Sequence, residues 1–362
     1  MRIAESIVLV LIISSIISSC AGQGKTNTEN TELQKDVIGE VVSELALNTH
    51  LIYQDKNHNY WFGNDTEIYK YDGKTLLLFT LKDGLISNKI IGIQEDKLGN
   101  IYFDTPEGVS KFNGQQFKTL EVIKGHAKNN IWKSEQDDLW FRIGWDKKGP
   151  YRFDGKNLFH LEFPKSKIED NFYAKYPNIS YNPYSIFSMY KDSKGNIWFG
   201  TADLGVYQFD GNQIRWMHEE HLGTTPEGGA FGIRSIIEDK EGYFWICNTN
   251  YKYKILPDSN SNDKQLTLLN YKREKGVIDK NEEVLYFMSM VLDNKGILWM
   301  VNNDGVWKNN GQELVQFFIN DGKSDISPSS VYKDNKGDLW FGTRSDGIYK
   351  YNGMIFEKAK FN

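Results

Sequence analysis

Asp192-Ser-Lys-Gly-Asn-Ile-Trp-Phe-Gly-Thr201 and Asp334-Asn-Lys-Gly-Asp-Leu-Trp-Phe-Gly-Thr343 are two copies of one phrase. Seven copies align, with the Trp position at Trp61, Tyr102, Trp140, Trp198, Trp245, Trp299 and Trp340, spaced 41, 38, 58, 47, 54 and 41 residues apart. Self-similarity at such a period marks propellers, solenoids or arrays. Each copy runs into a second phrase, such as Gly205-Val-Tyr-Gln-Phe-Asp-Gly211, and then a third apolar run, such as Gln116-Phe-Lys-Thr-Leu-Glu-Val122. Another apolar run, such as Ser185-Ile-Phe-Ser-Met-Tyr-Lys191, precedes the Asp.

One unit therefore holds four runs of strand length, A to D, rich in Ile, Val, Tyr, Phe and Trp and bounded by Gly, Asn and Asp. No convincing period of 3.6 follows residue 45, so helices should be scarce. Asp96-Lys-Leu-Gly99 and Asp239-Lys-Glu-Gly242 suit tight A–B turns. Asp72-Gly73, Asn113-Gly114, Asp154-Gly155, Asp210-Gly211 and Asn352-Gly353 suit C–D hairpins. Short, regular turns are thus expected on one face. The B–C loops and D–A crossings occupy the other, with long crossings at about 161–185, 217–232 and 257–285.

Strand B reads Ile197-Trp198-Phe199-Gly200, apolar on both faces, whereas a sheet with one wet face alternates. A ring of radially packed sheets covers both faces. The expected fold is all-β, a seven-bladed β-propeller of four-stranded antiparallel blades over residues 47–362. A β-helix is the alternative, but its rungs are shorter and lack paired hairpin turns. The first A strand begins near Asn48 and the last D strand ends the sequence. No blade should then mix the termini, and ring closure should rest on side-chain packing between blades 7 and 1 alone.

The pattern Asp-x-x-Gly-x-Ile/Leu-Trp-Phe-Gly-Thr, then Gly-Val/Ile-Tyr-x-Tyr/Phe-Asp-Gly, resembles the two-component regulator propeller repeat over roughly residues 47–362. It is also similar to the streptogramin lyase-like propellers, whose strand B is Gly-x-Ile/Val-Trp-Phe-Thr. The first resemblance implies extracytoplasmic sensing or recognition, commonly toward glycans. Sensors of that family usually add a second propeller, a β-sandwich, a membrane span and a kinase. The sequence runs out at Asn362, so signalling is expected to need a partner such as a membrane sensor protein.

The formal charge is −5 and no basic stripe stands out, which argues against a nucleic-acid partner. Residues 1–20 read as an export signal, with an apolar run from Ile7 to Ile17 too short for a retained span. Its ending, Ile17-Ser18-Ser19-Cys20, resembles a bacterial lipobox, which implies lipid on Cys20 and a place in the cell envelope, on the periplasmic side or at the outer membrane. Residues 21–46 are expected to be a flexible tether. Cys247 is then the only other cysteine and reads as a buried, inert thiol.

Copies that break the phrase point to a site. Asp104 and Arg142 replace the commonest residue, Gly, at equivalent positions in blades 2 and 3, and could pair near the channel mouth. Trp145, beside Asp146 in the third B–C loop, is a candidate stacking platform. Tyr181 and Tyr184 on the first long crossing, with Arg234 and Arg344, complete the candidate ligand-binding set. The residue three before each Asp (Ile52, Ile93, Ile131, Met189, Ile236, Met290, Val331) should pack between blades. The residue four before (Leu51, Gly92, Asn130, Ser188, Ser235, Ser289, Ser330), mostly small and polar, should face the channel.

His218-Glu-Glu-His221 lacks the spacing and the helix of a zinc motif, and the Asp-rich turns lack the acidic ladder of an EF-hand. No nucleophile with a base emerges. The reading is a non-enzymatic binding module without cofactor or metal, taking a glycan, another small ligand or a partner protein on the loop face. A lyase of the streptogramin type, with His126, His218 or His221 at the channel mouth, is the alternative, and a protein-interaction scaffold the third.

Overall fold

The computed structural model describes residues 38–123, 132–225, 229, 231–257, 266–281, 283–320, 322 and 324–361. Seven small antiparallel sheets form a ring, a seven-bladed β-propeller. Blade 4 shows the plan: strands Ile186–Lys191, Ile197–Thr201, Val206–Phe209 and Ile214–Met217 pair in order. The third A strand, with Asn130 and Ile131, lies outside the described residues, so blade 3 shows Leu139–Phe141, Tyr151–Phe153 and Leu158–His160. One short helix, Glu169–Lys175, sits in the crossing before blade 4.

The repeated phrase is a turn and a core anchor in one. Asp192 Oδ1 accepts the backbone N–H of Lys194 and Asn196, which closes the A–B turn. Its Oδ2 accepts the Trp198 indole N–H at 2.8 Å. The same bond joins Asp55 to Trp61, Asp239 to Trp245, Asp293 to Trp299 and Asp334 to Trp340, and Asp96 takes the Tyr102 hydroxyl. Gly195 meets the turn's left-handed step at φ +88°; in blade 1 His58 takes it at φ +65°.

Strand B faces both ways, as its apolar sequence requires. Trp61 packs on Phe103 of blade 2, and Trp198 on Phe244 of blade 5. The following residue turns to the preceding blade: Phe62 shares a cluster with Trp340 of blade 7. Seven apolar clusters result, each shared by neighbouring blades. Fully burying one such side chain contributes about 1.5–3 kcal/mol. Ile52, Ile93, Met189, Ile236, Met290 and Val331 all sit in the cluster shared with the preceding blade.

The serine column lines the channel as expected, and its hydroxyls also bond the next blade. Ser188, Ser235 and Ser330 donate to the carbonyls of Ile233, Phe287 and His50, each on the next blade, and Ser289 bonds Val331 likewise. Two expectations are corrected. The fifth blade's D strand is Tyr271–Lys275, so residues 256–270 are a long C–D connection rather than part of a crossing. That connection adds Thr267–Leu268 as a parallel fifth strand on the outer edge of blade 4.

The second correction concerns closure. No blade mixes the two ends, but packing alone does not join blades 7 and 1. Glu40–Val42, expected in the tether, pairs antiparallel with Leu76–Phe79 outside blade 1. Leu47 then accepts the Gly347 N–H of blade 7 at 2.6 Å, while Phe361 lies edge-on to Phe62 of blade 1. Tyr60 donates to Asp334, and Tyr332 accepts from the Gln54 N–H. Cys20 and the rest of residues 1–37 lie outside the described residues.

Candidate functional site

The loop face opens into a cavity of about 550 Å³ at the channel mouth. Arg142, Trp145, Arg234 and Arg344 line it together, with Phe187 and Met288 between them. They come from blades 3, 5 and 7, so only ring closure brings them into one place. A second cavity of about 700 Å³ continues toward the A–B turns, past Gln94, Glu95 and Lys97, and shares Arg142 and Arg234.

Blade 3 supplies one wall. Its B–C loop leaves the strand at Arg142, and Ile143 takes a left-handed backbone at φ +45°. Such a conformation costs a β-branched residue about 1–3 kcal/mol and persists only where its surroundings fix it. Asp104 of blade 2 does so: its carboxylate accepts the N–H groups of Arg142 and Ile143, both at 3.0 Å. Asp104 is 1% exposed. Burial pushes its carboxyl up to about 6, and Arg142 and the two N–H groups offset this only in part. Room for it comes from Gly92 on the paired strand, whose Cβ would lie 3.4 Å from that of Asp104. Blades 4 and 7 reverse the arrangement, with Ser188 opposite Gly200 and Ser330 opposite Gly342. That exchange was readable in the aligned columns and is the signal that marks Asp104 as a loop support.

Arg142 is a brace. Its Nη1 donates to the Phe187 carbonyl at 3.1 Å, its Nη2 to the Ile91 carbonyl, and its Nε lies 3.9 Å from Asp104 Oδ2. The pair anticipated from sequence exists, yet the guanidinium is held mainly by carbonyls of blades 2 and 4. Arg142 also lies over the Trp145 ring, 4.8 Å from its centroid, and Trp145 meets Phe187 edge-on. Trp145 stays 40% exposed and presents an aromatic surface to the cavity. Ser185 and Asn182 of the long crossing bond the carbonyls of Trp145 and Asp146, which docks the loop.

Arg234 stacks between Phe187 and Phe231, 4.8 and 5.2 Å from their centroids, and its Nε donates to the Phe231 carbonyl. Desolvation, and then the Arg344 charge, lower its affinity for the proton. Arg344 reaches the thioether of Met288 at 3.5 Å. Cys247 lies behind Arg234 in the core: fully buried, its thiol is raised to about 11 by burial and its sulfur accepts the Arg234 backbone N–H.

The other predicted residues fall elsewhere. Tyr184 is 2% exposed and donates to Glu169, so it holds the crossing in place and is corrected as a ligand contact. Tyr181 donates to Asp203 at 2.7 Å, outside the mouth. Asp146 turns to Lys147. His221 bonds Tyr253 and lies 3.1 Å from Glu219, which also accepts from Tyr271 and Arg273. Burial raises the Glu219 carboxyl, but these donors bring it below its ordinary value. His218 stacks on Trp216, and His126 lies outside the described residues. Among the described residues no group of three or more His, Cys, Asp or Glu could hold a metal ion. Sequence reading missed Phe187, Phe231 and Met288, which carry no polar mark in the repeat.

Residues 180–203 and 322–345 match the family model of the two-component regulator propeller. No curated protein sequence matches the chain. Among solved structures, the extracellular domain of the one-component system BT4673 from B. thetaiotaomicron superposes with a TM-score of 0.58 at 17% identity, over 87% of this chain and 40% of that one. This chain therefore spans about two fifths of that domain. Virginiamycin B lyase from Staphylococcus aureus gives 0.57 at 13% identity, over 86% and 97% of the two chains. PorZ of Porphyromonas gingivalis, a surface component of the type-IX secretion system, gives 0.53 at 15% identity, over 86% and 44%. At these identities the likeness is one of fold. No helix among the described residues is long and apolar enough to cross a membrane. The chain is a seven-bladed β-propeller, two segments of which match the two-component regulator propeller repeat.

Proposed function

We propose that this propeller is an extracytoplasmic binding protein, anchored by lipid on Cys20, that recognises a glycan or other small ligand at the loop-face mouth and signals through a partner membrane sensor. The observation that carries the reading is the convergence of Trp145 with three arginines from blades 3, 5 and 7 in one concave site of about 550 Å³. Such a site, part aromatic and part polar, has the size and chemistry of small-ligand pockets. The regulator-propeller repeats and the fold shared with an extracellular sensor domain support the address. Binding rather than catalysis is the reading because guanidinium donors and ring faces dominate the mouth, where His50 bonds the Asn48 carbonyl and Asp65 faces Lys89, while His221 and Glu219 are engaged with each other elsewhere.

An oligosaccharide panel against the purified chain tests this. A saccharide is expected to bind, and Trp145→Ala to weaken it by about tenfold, the loss of one stacking contact. No saccharide bound, together with a stable co-purifying protein, would favour a scaffold instead. Fatty-acid labelling of the chain and of Cys20→Ala tests the anchor; equal labelling would exclude it.

A further inference from the structure

The mouth is cationic in a protein whose formal charge is −5. Lys89, Arg142, Arg234 and Arg344 line the cavity against one carboxylate, Asp65, which Lys89 approaches at 3.6 Å. Arg142 is committed to the carbonyls of Ile91 and Phe187. Arg234 and Arg344 are not so committed. Among the described residues neither makes an ion pair; Arg234 is fixed through Nε alone, and Arg344 rests on a thioether, a weak acceptor. Each guanidinium carries five N–H donors in a planar fork. The two line the same cavity, so their like charges face one site that an anion would suit. The rings of Phe187 and Phe231 hold the Arg234 plane in place beforehand, which lowers the ordering cost of binding.

We propose that the loop-face mouth takes an acidic saccharide, with Arg234 and Arg344 gripping a carboxylate or sulfate group while Trp145 lies against the sugar ring. The proposal deepens the ligand-binding reading above and rests on it. Fork-shaped guanidinium pairing suits both anions, and an adjacent aromatic face suits the apolar side of a pyranose. Arg142 acts as a positioning residue, since its Nη groups are bonded to the Phe187 and Ile91 carbonyls and its guanidinium lies over the Trp145 ring.

The test uses the whole chain and the double variant Arg234→Gln/Arg344→Gln. Both side chains are exposed, and the apolar clusters of the ring do not depend on them. Thermal unfolding is followed in sodium sulfate and in sodium chloride at equal ionic strength. Sulfate is expected to raise the Tm of the wild type by more than it raises that of the variant; equal shifts in the two proteins would overturn the proposal. Titration with glucuronate, glucose 6-sulfate and glucose separates the sources of the charge. The preferred acid is expected to bind about tenfold more tightly than glucose and to lose that advantage in the variant. Glucose binding as tightly as both acids, lost on Trp145→Ala but retained by the double variant, would remove the acidic ligand while leaving the mouth as a binding site.

Discussion

Blades 3 and 4 are neighbours built on one plan, and they differ where the repeat matters most. In blade 4 Asp192 closes the A–B turn and holds the Trp198 indole. In blade 3 the Asp is replaced by Ser134, and the Trp140 indole N–H is buried without a partner. Blade 3 secures its turn differently: Asp138 accepts the Glu135 N–H and the Nε of Arg152, an ion pair with both side chains 3% exposed. Its B–C loop is also the longer, running from Arg142 to Pro150 where blade 4 needs only Ala202 to Gly205. The blade that departs from the repeat supplies Trp145 and one wall of the mouth. A regular turn gives a repeat its stability, and a blade that gives it up must find a local substitute.

The largest expected effect tests that substitute. Arg152→Ala leaves Asp138 charged and buried, and should cost about 3–5 kcal/mol in denaturant unfolding. A loss below about 1 kcal/mol would mean that the pair does not replace the missing turn. Asp104, which supports the same loop from blade 2, should make stability depend on pH. Its folded pKa, near 6, is raised above the ordinary 3.8, so the folded state holds the proton more tightly than the unfolded one. Its contribution is therefore greatest below pH 3.8 and falls as pH rises through 6, by about 3 kcal/mol in total. Comparison of Asp104→Asn with the wild type between pH 4 and 7 should show that slope in the wild type and lose it in the variant; parallel curves would contradict the assignment.

Smaller effects sharpen the contrast of turns. Asp192→Ala removes four hydrogen bonds from one carboxylate and should cost about 2–3 kcal/mol. Trp198→Phe should destabilise more than Trp140→Phe by about 1–2 kcal/mol, because only the first breaks an indole hydrogen bond. Equal costs would show that the Asp–Trp bond adds nothing to packing.

The fold was legible because it is written in residue types that serve a single purpose. Asp and Trp six apart make the turn, and two adjacent apolar residues in strand B require neighbours on both sides. Asp104, Arg142 and the Trp145 loop were legible as departures, with Arg234 and Arg344 named beside them, and all but Asp104 line the mouth, with Asp104 buried behind. What stayed hidden depends on long-range partners. Nothing local distinguishes Tyr184, buried against Glu169, from the exposed Tyr181. The pairing of Glu40–Val42 with blade 1 and of Thr267–Leu268 with blade 4 follows from edges that only the assembled ring presents. Ser188 lines the channel as its column predicts, but its bond to the next blade's Ile233 carbonyl is visible only in the assembled ring.

The claim that the loop of blade 3, and not the loop of blade 4, contributes to binding at the mouth can be tested with one pair of variants. The affinity of a saccharide that binds the wild type is measured for Trp145→Ala, on the loop of blade 3, and for Asp203→Ala, on the loop of blade 4. The expected result is a loss of about tenfold for Trp145→Ala and an unchanged affinity for Asp203→Ala. Unchanged affinity in Trp145→Ala with loss in Asp203→Ala would contradict it.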